Sequence, residues 1–314
     1  MSLKKGAETV ILQCLDISKD DKVVILDDGN DPEILKALTH FLNEQKTEFH
    51  IVDYEERENH GEEPPEFVAE EMKSSDVFIA PTKKSVSHTR ARVEACKNGS
   101  RGSTSPGINQ EIWNTSLQAD YYNVESITER VYKILEDTET VRIKTDSGTD
   151  LSLKINIDYF HKDDGMIKRP GEFGNLPAGE VDGAPIEVNG KLVVDHLPID
   201  KEAEGTEIFI QDSEVVETVG AEDSKLQENL EEVEGFRNVA EFGFGTNPEA
   251  ELIGKILQDE KVLGTVHIAF GDNTSYVPEG EHRNQSEIHW DVICKKPTVF
   301  FDDKKMLDRG KKVF

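Results

Sequence analysis

The sharpest constraint on this fold is a change of period. Up to about residue 135 the apolar residues come in short runs and at helical spacing; from Thr140 onward they alternate. Residues 22–26 read K-V-V-I-L and stop at Asp27, Asp28 and Gly29, which predicts a buried strand and a turn. Asp31-Pro32 then opens a helix, with Asp31 as cap and Pro32 at the first helical position; Ile34, Leu35, Leu38, Phe41 and Leu42 form its apolar face. Residues 49–52 and 77–80 read as further strands, 67–72 as a helix between them, and residues 7–17 as a leading helix. Strand and helix alternating at these lengths predict a parallel α/β sheet.

Further on, Ser87 is expected to cap a helix carrying Arg90, Arg92 and Cys96 that Gly99 closes, and residues 126–135 a helix with Ile127, Val131, Ile134 and Leu135 inward. Residues 140–157 alternate around Ser147-Gly148 and predict a hairpin. More β alternation follows at 183–196 and 206–219, an acidic helix at 223–234, and a helix from Asn247-Pro248-Glu249 to about Gln258. The fold class is therefore α/β in the first half and α+β in the second: an N-terminal α/β domain at 1–138 and a mixed, mostly antiparallel domain at 139–314.

The chemistry concentrates between residues 241 and 291. In G-T-V-H-I-A-F-G a strand puts His267 on the face away from Val266, Ile268 and Phe270. In I-H-W-D-V-I, His289 and Asp291 are two apart and so share a strand face, opposite Ile288, Trp290 and Val292. Imidazole beside carboxylate on one face is half of a metal site, or a pair of satisfied polar residues at a strand edge; spacing leaves both open.

Composition narrows the partners. Asp and Glu number 64 against 36 Lys and Arg, a net charge of -28, which argues against nucleic acid, where clustered cations must meet phosphates. It suits a strongly solvated surface, whether salt-adapted or that of an ordinary acidic cytoplasmic protein. No apolar run reaches membrane-span length, and the polar start at residues 1–8 does not read as a secretory leader. Cys14, Cys96 and Cys294 are scattered and read as reduced thiols. A dinucleotide glycine fingerprint, a P-loop and a G-x-S-x-G elbow are all absent.

Four ordered motifs carry a resemblance over most of the chain: G-N-L-P-A-G-E-V at 174–181, A-E-F-G-F-G-T-N-P at 240–248, G-T-V-H-I-A-F-G at 264–271 and N-Q-S-E-I-H-W-D-V-I at 284–293, with S-H-T-R-A-R and a later S-P-G at 87–107 in support. Together they resemble the metallo-aminopeptidase family of aminopeptidases T and S. The resemblance implies a cytoplasmic, homodimeric hydrolase acting on peptide N-termini. It implies two divalent ions, zinc or cobalt first and manganese or iron as alternatives, held by Glu180, Glu241, His267, His289 and Asp291. Glu241 and Tyr276 would be catalytic, although Tyr276 falls slightly late against the family's tyrosine. Bridging carboxylates offset the repulsion of two cations, and a water between them attacks as hydroxide. The ring-cleaving dihydroxypyridine dioxygenases are similar in fold and give the alternative: one iron on His267, His289 and Asp291, the usual two-histidine, one-carboxylate set. A metal-free binding protein is a third reading. Among the other histidines, His88 reads as a capping or local hydrogen-bonding residue, His196 as a structural residue with a substrate contact as the lesser alternative, and His161 as an ordinary surface or helix-face residue.

Overall fold

A computed structural model describes residues 3–280 and 282–314. The chain divides into two compact units: residues 1–126, 163–178 and 248–251 make the first, and 127–162, 179–247 and 252–314 the second. The chain thus crosses between them more than once, and the boundary expected between 138 and 139 lies within the second unit.

The first unit is built on a five-stranded parallel sheet. Its strands are Lys22–Asp27, Glu48–Asp53, Val77–Ala80, Arg101–Thr104 and Phe173–Asn175. Asp31 caps the helix Pro32–Gln45 as its position predicts, accepting from the Glu33 and Ile34 amides at 2.9 and 3.2 Å. Val24, Leu26, Val52, Phe78 and Ala80 of the sheet pack with Val68, Met72, Ala91 and Ala95 of the helices. The helix Arg90–Lys97 is capped by Thr89, which accepts from the Arg92 amide at 3.2 Å, not by Ser87. Ser87 instead bonds Thr104 Oγ1 at 2.6 Å and donates to Asn175 Oδ1 at 3.1 Å.

The second unit holds two antiparallel sheets, of eight and five strands. The hairpin expected around Ser147-Gly148 is present, joining Thr140–Lys144 to Asp150–Lys154 in the larger sheet. The smaller sheet runs, in spatial order, His289–Cys294, Val266–Gly271, Val239–Gly245, Glu180–Gly183, Phe160–Asp163. One apolar cluster links both sheets: Phe242, Phe244, Val266, Ile268 and Phe270 from the smaller, Val141, Ile143, Leu151 and Leu153 from the larger. Each fully buried side chain of this size contributes roughly 1.5–3 kcal/mol. Phe301 closes the cluster edge-on against Phe242 and Phe244, at centroid distances of 6.5 and 5.9 Å.

The helix expected to start at Asn247 is not formed. Only Ile256–Asp259 is helical there. The Asn247 amide donates to the Lys261 carbonyl at 2.9 Å, and its own carbonyl accepts from Leu263 at 3.0 Å. A short parallel bridge to Val262 thus uses the backbone that a helix start would need.

Candidate metal centre

The smaller antiparallel sheet has one apolar face and one face that carries the polar residues. Along Val239–Gly245, Phe242 and Phe244 point to the core while Glu241, Gly243 and Gly245 share the other face. Register completes the pattern. Glu241 lies opposite Ala269, and Ala269 opposite Asp291; Gly243 lies opposite His267 and Asp182; Gly245 lies opposite Glu180. Acids and imidazoles therefore alternate with residues that have little or no side chain. At Gly243 the need is strict, because a Cβ there would run into the His267 ring. At Gly245 a Cβ would meet the Val262 carbonyl, so glycine admits the segment that carries Lys261. A bulge between Val239 and Glu241 shifts the register where the ligand face begins.

Glu241 is the hub. Its Oε1 lies 2.9 Å from His267 Nε2, and its Oε2 lies 3.0 Å from His289 Nε2 and accepts from the Tyr276 hydroxyl at 2.8 Å. Asp291 Oδ1 lies 3.4 Å from His289 Nε2 and 4.0 Å from His267 Nε2. One donor atom from each of Glu241, His267 and Asp291 falls within 4.8 Å of the others, close enough to hold a metal ion. Glu180 Oε2 is 3.8 Å from His267 Nε2. All five residues expected as ligands, and Tyr276, thus come together here.

The surroundings orient the ligands. His289 Nδ1 lies 2.7 Å from the Asp272 carbonyl and donates to it, which leaves Nε2 free to face Glu241 and Asp291. His267 is buried, and its Nδ1 finds no hydrogen-bond partner among the described residues. His289 is the solvent side of the centre, with its side chain 30 % exposed.

The electrostatics favour a cation. Burial opposes ionisation of Glu241, but hydrogen bonds from His267 and His289 outweigh it and hold the carboxyl well below its usual range. Burial likewise opposes charge on His267; Glu241, Glu180 and Asp291 overcome it and carry the imidazole up to about 10. His289 is also raised, against burial, by Asp291 and Glu241. Tyr276 is pushed well up by burial and then by the charges of Glu241, Asp182 and Glu180. A field that holds protons this firmly on two imidazoles is one that a divalent ion would satisfy in their place. The donor set therefore fits a metal.

Three neighbours escaped the sequence reading. Lys261 is buried and pairs with Glu180 and, at 2.8 Å, with Glu260. Asp182 is buried on the Glu180 strand, and E-V-D alternation was its signal. His161, exposed on the edge strand, stacks on Tyr276 with centroids 5.8 Å apart and planes 27° apart. His196 is not among them: it bridges Glu204 at 3.1 Å and Asp259 at 2.8 Å, in keeping with a structural residue.

A family profile described as "NicX: 2,5-dihydroxypyridine 5,6-dioxygenase" matches residues 9–314. The chain belongs to this family. Among solved structures, the 2,5-dihydroxypyridine dioxygenase from Pseudomonas putida KT2440 superposes with a TM-score of 0.80 at 15 % identity, over 100 % of this chain and 98 % of that one. AmpT from Thermus thermophilus follows with a TM-score of 0.71 at 16 % identity, over 99 % of each chain. At these identities both likenesses establish the fold. No curated protein sequence matches. The expected aminopeptidase likeness is thus present in the fold, while the sequence family is the dioxygenase. Among the described residues, no helix is long and apolar enough to cross a membrane.

Proposed function

We propose that this NicX-family chain is a metal-dependent dioxygenase that opens a hydroxylated pyridine-type ring, with one ferrous ion on His267, His289 and Asp291. The observation that carries the reading is the convergence of two imidazole nitrogens and one aspartate from neighbouring strands, with His289 turned inward by the Asp272 carbonyl. Two histidines and one carboxylate leave coordination positions open, as ferrous oxygenases require. Bound there, a ferrous ion would let electrons pass from the ring, which is the reductant, to dioxygen. The family description supplies the substrate class.

The protein's own groups handle the proton. A ring hydroxyl must be deprotonated for the ring to become electron-rich. With both imidazoles turned to the ion, the hydrogen bonds that hold the Glu241 carboxyl low would be released, and Oε2, 2.8 Å from the Tyr276 hydroxyl, is placed to accept that proton while Tyr276 holds the ring oxygen beside it. His289 marks the solvent side from which substrate enters.

A two-ion aminopeptidase is the second reading. It is favoured by Glu180, a further buried carboxylate whose Oε2 faces His267 at 3.8 Å and finds no hydrogen-bond partner among the described residues. The two readings separate in an oxygen electrode. Protein loaded anaerobically with ferrous ion should consume oxygen on addition of 2,5-dihydroxypyridine and leave aminoacyl amides intact. Amide hydrolysis with zinc or cobalt, and no oxygen uptake with any hydroxylated pyridine, would replace the first reading by the second.

A further inference from the structure

The centre already contains a cation of its own. Lys261 is 2 % exposed, and its ammonium sits on Glu180 Oε1 and 2.8 Å from Glu260 Oε1. A buried ammonium is placed only where carboxylates compensate it. Its backbone is fixed from both sides: the Lys261 amide donates to the Gln258 carbonyl at 2.9 Å, and its carbonyl accepts from the Asn247 amide at 2.9 Å. The turn before it is pinned by Asp259, which accepts from the Ile253 and Gly254 amides at 2.8 and 2.9 Å and is bridged by His196. The ammonium is therefore held in place.

Glu180 is the carboxylate that a second ion would need. It extends the ligand set beyond the residues grouped around Glu241, reaching it through Oε2, 3.8 Å from His267 Nε2. Its other oxygen is taken by Lys261. We infer that Lys261 fixes the metal content at one ion per chain, its ammonium standing beside Glu180 where a second divalent ion would otherwise be bound. An ammonium and a divalent ion on the two oxygens of one carboxylate would repel each other across a few ångströms of low-dielectric protein. Asp182, buried on the same strand face and opposite Gly243, adds negative charge nearby. The inference rests on the one-ion reading of the centre.

The test uses metals that do not turn over, so it is independent of ring cleavage. Metal-free full-length protein is titrated with zinc or cobalt, and bound ion per chain is read by elemental analysis after dialysis, with folding followed by circular dichroism. The wild type should saturate at about one ion, and Lys261→Met and Lys261→Gln at about two. Glu180→Gln/Lys261→Met, which removes both charges, should return to about one. Two ions in the wild type overturn the inference, as does one ion in the folded lysine variants. The variants are also prepared with the ion present throughout, because the second ion should restore the lost positive charge; a variant that folds in neither condition overturns it too. One ion bound without any oxygen uptake would leave this inference standing and remove the dioxygenase reading.

Discussion

Tyr276 and Glu241, 35 residues apart, share a 2.8 Å hydrogen bond in which the phenol donates to Oε2. The same oxygen lies 3.0 Å from His289 Nε2, so phenol and imidazole meet on one carboxylate oxygen.

Tyr276→Phe removes only the hydroxyl. Turnover of a hydroxylated pyridine should fall about 100-fold, the lower end of what a positioned proton-transfer group contributes. Thermal stability should change by at most about 1 kcal/mol, the worth of one hydrogen bond. Steady-state kinetics and a melting curve test both; unchanged kcat would take Tyr276 out of the reaction.

Gly243→Ala probes the cradle under His267. The added methyl enters the space of the imidazole ring. We expect a stability loss of about 1–3 kcal/mol from overpacking. Metal affinity should weaken roughly 10- to 100-fold, as when a group supporting a ligand is lost. Isothermal titration with zinc reads the second effect; wild-type affinity would mean that His267 is not held against this glycine.

His161→Ala removes the exposed partner of Tyr276. Stacked rings contribute about 0.5–1.5 kcal/mol. If the stack orients the phenol, KM for the pyridine should rise roughly 2- to 10-fold with stability nearly unchanged, and His161→Phe should restore it. Equal kinetics in all three proteins would make the stack incidental.

An acid-side prediction concerns the first unit. Arg101 donates to both Asp21 oxygens, at 3.2 and 3.3 Å, and to the Leu15 carbonyl at 2.9 Å. Partial burial pushes the Asp21 carboxyl up, but the Ser18 amide and Arg101 outweigh it and hold it below its ordinary value. A carboxyl lowered by folding stabilises the protein above its unfolded value of about 4 and loses that contribution as pH falls through the lower folded value. Asp21→Asn should therefore cost about 1–3 kcal/mol at neutral pH and less below about pH 4. Denaturant melts across pH 3–7 decide; a cost independent of pH would assign the loss to packing.

Where chemistry depends on local alternation, it was legible in the sequence. His267, His289 and Asp291 fall on their ligand-bearing face because successive side chains along each short strand point to opposite faces. The Asp31 cap was equally local. Lys261 was hidden, because its position depends on a bridge between Asn247 and Val262 and on Gly245 admitting that segment. The same bridge explains why Asn247-Pro248-Glu249, with every local signal of a helix start, forms none. Ser87 and Thr89 both had cap chemistry; Ser87 bonds Thr104 and Asn175 instead. The short strand Phe173–Asn175 joins the parallel sheet beside Arg101–Thr104, a pairing across some seventy residues that no local pattern announces.

The measurement closest to the central claim is isotopic. Protein loaded with ferrous ion is mixed with 2,5-dihydroxypyridine under ¹⁸O₂, and the ring-opened product is weighed by mass spectrometry. A dioxygenase places both labelled atoms in that product, and His289→Ala should abolish its formation. A product without label, or hydrolysis of aminoacyl amides as the sole activity, would contradict the account.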